Sequence, residues 1–161
     1  MKRYTSMKVG GQAAFLAYPA DERDLEDTLR FATDKGIGHR FLGTGTSVIV
    51  SDKGIHETLI RITKMKHTRY TKTKSGALAD VSGGVSLRTF IKDNAEKGLS
   101  GLEKLYWIPG TVGGGIKMNA GSFGQSISAT LEEIRLIDGK GAISTLTKDQ
   151  LRFGYRASVI H

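Results

Sequence analysis

The chain contains no cysteine. That excludes disulfides, a thiolate metal site and a thiol nucleophile. No apolar run approaches the ~18 residues that span a bilayer. The opening MKRYTSMKVGGQ lacks the apolar core of a signal peptide, so a cytoplasmic protein is expected, with no membrane partner. The four histidines (His39, His56, His67 and His161) are scattered, and no metal centre is predicted. There is no Gly-x-Ser-x-Gly nucleophile sequence, no P-loop ending in Gly-Lys-Ser/Thr and no clean G-x-G-x-x-G fingerprint after a strand. Tryptophan occurs once.

What is abundant is glycine and positive charge. Glycine is 21 of 161 residues, against the ~7% usual in proteins. The net charge of +8 favours anionic partners. Six basic residues fall in Arg61–Lys74. Lys64, Lys66, Lys72 and Lys74 share parity and would share one face of a strand. A solvated strand face is the plain reading. A nucleic-acid stripe is disfavoured because Tyr70 is the only aromatic there, and single-strand binders stack bases on several.

The glycines concentrate in two places. Ile108–Gly124, IPGTVGGGIKMNAGSFG, holds six of them, interleaved with Thr111, Asn119 and Ser122. Phe41–Asp52, FLGTGTSVIVSD, places Gly43-Thr44-Gly45-Thr46-Ser47 between a strand and an apolar run. Two readings stand for each loop. Backbone amides released by small residues can line an anion site, typically for a phosphate. Equally, glycines make turns and close crossings with no ligand. Two such loops in one short chain suggest a diphosphate held at two places.

The periodicity divides the chain at 1–62 and 63–161. In the first part, Ala13–Tyr18 reads as a strand. Asp21 caps a helix to Lys35, with Leu25, Leu29 and Ala32 on its apolar face. Strands follow at His39–Gly43 and Thr58–Ile62. In the second part, the basic strand and Ala77–Val81 precede a helix capped by Ser86 and ending near Lys97. Leu102–Tyr106 reads as a helical turn. Leu131–Ile137 and Ala142–Leu146 form a hairpin through Asp138-Gly139-Lys140-Gly141. Thr147-Lys148-Asp149-Gln150 has the spacing of a capping box and predicts a short final helix. Near the end lies Phe153–Ser158, FGYRAS. Its Arg156 offers a planar fork of donors suited to a carboxylate or enolate, though a surface arginine is the plain reading.

Four segments together carry a family resemblance: Val9-Gly10-Gly11 with Phe15–Pro19, Leu42–Asp52, Leu99–Gly124 and Phe153–Ser158. In this order they resemble the MurB family, the UDP-N-acetylenolpyruvoylglucosamine reductases of peptidoglycan synthesis. The resemblance covers essentially the whole chain. It implies an α+β, two-subdomain FAD-binding fold of the vanillyl-alcohol-oxidase/CO-dehydrogenase-flavoprotein type. The residues it assigns to FAD are Gly43, Thr44, Gly45, Thr46 and Ser47, then Ile108, Pro109, Gly110, Thr111, Gly113, Gly114, Asn119, Ala120 and Gly121. The implied reaction is a hydride from NADPH to flavin and another from flavin to the enolpyruvyl C3 of UDP-N-acetylglucosamine enolpyruvate. Arg156 would stabilise the charge that develops at C2, and Tyr155 would position the substrate. A monomer is implied.

Three departures from the family pattern bear on this. Gly45-Thr46-Ser47 stands where Gly-Ser-Asn is usual, and Tyr106-Trp107-Ile108 where smaller residues precede the Pro-Gly. The family also continues into a third, substrate-binding domain with a proton-donating serine and an assisting glutamate. The expectation is therefore a chain that binds FAD but does not complete turnover. A non-catalytic flavin- or nucleotide-binding module is the alternative, and a basic adaptor for nucleic acid a weaker one.

Overall fold

The computed structural model describes residues 1–160. The chain divides into two compact units. One is Met1–Met65 with Ile137–Ser144; the other is Lys66–Leu136 with the chain from Thr145 onward.

In the first unit, β1 (Ala13–Ala17), β2 (His39–Phe41) and β3 (Ile55–Ile60) form a parallel sheet in the order β1-β3-β2. Parallel neighbours need a crossover, and α1 (Glu22–Asp34) lies between β1 and β2 in the chain. Asp21 starts the helix by accepting a 2.9 Å hydrogen bond from the Asp24 amide. Leu25, Leu29 and Ala32 recur at helical spacing and are the buried residues of α1. Leu25 and Leu29 pack with Ile60 of the central strand, and Ile62, Met65 and Ile137 lie against them. A second cluster joins Met1, Leu42 and Leu59.

The second unit is built on antiparallel pairs. β4 (Thr68–Thr73) pairs with β5 (Gly76–Val81), with Tyr70 opposite Ala79. The helix α2 (Leu87–Glu96) is capped by Ser86 Oγ, which accepts from the Thr89 amide. Next come α3 (Val112–Lys117), the short pair β6 (Gly121–Ser122) and β7 (Gln125–Ser126), and the hairpin of β8 (Glu133–Ile137) and β9 (Ile143–Thr147). The core gathers Val85, Leu87, Phe90, Ile91, Leu102, Leu105, Val112 and Ile127.

Four sequence expectations are corrected. The strand expected at Thr58–Ile62 starts at Ile55 and stops at Ile60, and Ile62–Lys64 is a 3-10 turn. The basic lysines do not share a strand face: Lys64 lies in that turn, Lys66 precedes β4, and Lys74 sits in the turn after it. Parity holds only along an unbroken strand. The final helix is a turn. Gln150 Oε1 does accept from the Thr147 amide at 2.9 Å, but Arg152 at φ +45° ends the helical path within one turn. Finally, the glycine segment 108–124 is no continuous loop, because α3 and a hairpin form inside it.

Candidate functional site

In the first unit, Gly43–Ser47 is a bend series held through its carbonyls. Gly45 O accepts from the Ser6 amide at 3.0 Å, and Thr46 O from Ser6 Oγ at 3.4 Å. Gly43 O accepts from Arg61 Nη2 at 3.3 Å. The Arg61 guanidinium also lies over the rings of Tyr4 and Tyr18 and donates to Tyr18 OH. The amides of Gly43, Thr44, Gly45 and Ser47 donate to no partner among the described residues. A loop whose carbonyls are tied back and whose amides are unused has the polarity an anion requires. Gly45 is required by the crossing beneath it: φ is +73°, and a Cβ would stand 2.0 Å from Tyr4 O. Arg61, Ser6 and Tyr4 were not singled out for this loop in sequence. Arg61 read as one member of a charge run, and only the fold brings it to Gly43.

In the second unit, Thr111 is the buried N-cap of α3, its Oγ accepting from the Gly114 amide at 3.2 Å. The amides of Val112, Gly113 and Gly115 donate to Val85 O, Gly83 O and Thr111 O. Among the described residues, the amides of this stretch that donate to no partner are those of Gly110 and Thr111. Ile108 is half-buried and Pro109 exposed. Ala120 is buried and locked by bonds to Gly115 O and from the Ile127 amide.

Beyond α3 the chain makes two tight hairpins. One turns at Phe123-Gly124, between β6 and β7. The other turns at Tyr155-Arg156, closed by a bridge of Gly154 with Ala157. They are tied to each other twice. Asn119 Nδ2 donates to Gly154 O at 2.9 Å, and Arg156 Nη2 to Gly121 O at 3.0 Å. Asn119 Oδ1 is buried without a partner. Between the hairpins lies a cavity of about 280 Å³, lined by Asn119, Gly121, Phe123, Tyr155 and Arg156 among others. Arg156 adopts φ +54°, a strained setting for a non-glycine residue. One of its five N–H groups is accounted for by Gly121 O; the others donate to no partner among the described residues, and the residue lines the cavity. Thus Asn119, Gly121, Tyr155 and Arg156 are brought together, 35 residues apart in the chain.

Residues 13–147 match the model of a family described as FAD binding domain. The chain belongs to that family. It is 34% identical over 160 residues to the UDP-N-acetylenolpyruvoylglucosamine reductase of Streptococcus suis, covering 99% of this chain and 52% of that protein. The structure of the reductase MurB from Thermus caldophilus superposes with TM-score 0.76 and 32% identity, over 99% of this chain and 55% of that one. The 6-hydroxy-D-nicotine oxidase of Arthrobacter nicotinovorans shares the fold, with TM-score 0.65 at 18% identity over 87% of this chain and 31% of that one. The fold is the α+β FAD-binding fold of the vanillyl-alcohol-oxidase type. The chain spans about half the length of the curated relatives it matches. Among the described residues, no helix is long and apolar enough to cross a membrane.

Proposed function

We propose that this chain is the FAD-binding part of a UDP-N-acetylenolpyruvoylglucosamine reductase that uses NADPH. The observation that carries the reading is the set of amides of Gly43, Thr44, Gly45 and Ser47, which donate to no partner among the described residues, in a loop held from behind through its carbonyls by Ser6 and Arg61. Those amides and the side chains of Thr44 and Ser47 would hold a phosphate of FAD in the first unit, and the amides of Gly110 and Thr111 are the donors the second unit offers the cofactor. The partnerless, buried Asn119 Oδ1 is a further polar atom suited to a ligand donor. When bound, FAD supplies a two-electron hydride carrier. What this chain's residues add is electrostatic. Arg156 presents preorganised donors to the carboxylate of UDP-N-acetylglucosamine enolpyruvate and to the charge that grows at its C2. Tyr155 positions that substrate.

Protonation of C2 needs an acid within hydrogen-bond reach. The resemblance places the proton-donating serine in the family's third, substrate-binding domain, so the acid is assigned to that domain. The test is direct. Purified chain should carry a flavin absorption spectrum. Its NADPH oxidation should be slow, oxygen-dependent and indifferent to the UDP-sugar. A colourless protein that takes up no added FAD would refute cofactor binding. Formation of UDP-N-acetylmuramate at an ordinary enzymatic rate by this chain alone would refute the division of labour.

A further inference from the structure

We propose that Phe123 is a stacking platform for the planar ring of a nucleotide ligand whose anionic part meets Arg156. This rests on the reading of the Arg156 cavity as the substrate side of a reductase. Phe123 is the first of two residues in a tight hairpin turn, and both have positive φ, +49° for Phe123 and +77° for Gly124. Such a turn favours asparagine before glycine; a bulky aromatic there is a conformational outlier. The ring is not held by any core cluster, since Phe123 is 81% exposed. The backbone beneath it, however, is pinned. Lys104 Nζ donates to Phe123 O at 3.2 Å, Gln125 Oε1 accepts from the Lys104 amide at 3.1 Å, and Gln125 Nε2 donates to Gly101 O at 2.7 Å. A strained aromatic, exposed on an anchored tip, lines the same cavity as the 92%-exposed Tyr155 and the Arg156 cation. Strain of this kind concentrates at ligand-binding sites. A ring surface beside a guanidinium suits a planar heteroaromatic group joined to a phosphorylated one. Both a uridine nucleotide and a nicotinamide nucleotide have that chemistry.

The test titrates UDP and NADP⁺ separately, by calorimetry, into wild type, Phe123→Asn and Phe123→Tyr, with flavin content and Tm recorded for each. Phe123→Asn should raise Tm by roughly 2–4 °C, the shift expected for relief of modest strain in a chain this size. It should also weaken at least one nucleotide roughly tenfold, within the range of losing one base–aromatic stack. Phe123→Tyr should bind as wild type. Loss confined to UDP assigns uracil, and loss confined to NADP⁺ assigns the nicotinamide nucleotide. Equal affinities in wild type and Phe123→Asn, or no binding of either nucleotide by wild type, would overturn the proposal. So would a fall in flavin content caused by Phe123→Asn, because the ring would then serve the cofactor. A wild-type protein that takes up no flavin sinks the reductase reading instead. Titration of that flavin-free chain then decides the ring's role by the same comparison.

Discussion

Arg156 donates through Nη2 to the carbonyl oxygen of Gly121 at 3.0 Å. The bond holds the guanidinium against β6 at the edge of the cavity that Arg156 lines. Arg156→Lys would keep the charge but lose the planar fork. Arg156→Met would lose both. We expect neither to change flavin content. Joined to the C-terminal half of the Streptococcus suis reductase, Arg156→Met should reduce the enolpyruvyl substrate about 100-fold more slowly, or worse, the size seen when one transition-state donor is removed. Stopped-flow reoxidation of the reduced flavin by substrate measures this. An unchanged rate would remove Arg156 from the chemistry.

The two glycine segments differ in why glycine is there, and substitution separates them. Gly45→Ala drives a Cβ to 2.0 Å from Tyr4 O and should unfold the first unit or lower Tm sharply. Gly113→Ala meets Gly83 backbone at 3.0 Å and disturbs packing whether or not a ligand binds. Gly114 is exposed, but a Cβ there would stand 3.3 Å from Thr111 Oγ, so the capping hydroxyl must give by a few tenths of an ångström. Alanine is favoured over glycine in a helix by up to ~1 kcal/mol, which offsets the crowding of the cap, so Gly114→Ala should leave Tm near that of wild type. If α3 approaches the FAD diphosphate, it should still lower flavin content. Lys72→Ala, on exposed β4, should not. Equal flavin in Gly114→Ala and wild type would take Gly114 out of the cradle.

Thr111→Val preserves shape and removes the oxygen that accepts from the Gly114 amide. Loss of an N-cap costs about 0.5–2 kcal/mol, so Tm should fall by roughly 2–4 °C per kcal/mol lost. Thermal melts of the two proteins side by side decide it; an unchanged Tm would mean that water replaces the cap without cost.

Arg61→Met should weaken the first loop from behind, because Gly43 O and Tyr18 OH lose their charged donor. Hydrogen bonds to charged groups contribute about 1.5–3 kcal/mol. Both Tm and flavin content should drop, and Arg61→Lys should restore only part. Flavin retention at wild-type level in Arg61→Met would disconnect the loop's posture from cofactor binding.

Asp138 carries a pH dependence. The amides of Ala142 and Lys140, at 2.9 and 2.8 Å from its Oδ1, hold its carboxyl below the usual range. A carboxyl lowered by folding contributes stability above its unfolded pKa, and that contribution fades as pH falls through the native value. Asp138→Asn should therefore melt earlier than wild type at neutral pH. The gap should close on acidification below the ordinary aspartate range of ~4. A gap that stays constant with pH would show that the turn does not depend on the charge.

Local chemistry was legible without a fold. Asp21 and Ser86 announce α1 and α2 because capping is a contact over three residues. Leu25, Leu29 and Ala32 announce a buried face because helical period is local. The hairpin at Asp138–Gly141 and the 3-10 turn after Leu102 were likewise readable from turn residues. Several features depended on distant partners and were not. Gly113 spends its amide on Gly83, so a segment that reads as an open glycine loop contains a helix. The basic run breaks at Met65 because Ile62 and Met65 pack beside Leu25, Leu29 and Ile60. Ile137–Ser144 groups with the first unit although its hairpin strands continue into the second. Arg61 reaches Gly43, and Arg156 reaches Gly121, over 18 and 35 residues. The sequence by itself determined which residues can cap, turn, bury or carry charge. Which amides remain for a ligand, and which cation lines the cavity, was decided by tertiary structure, because hydrogen bonds between distant residues consume donors that local pattern counts as free.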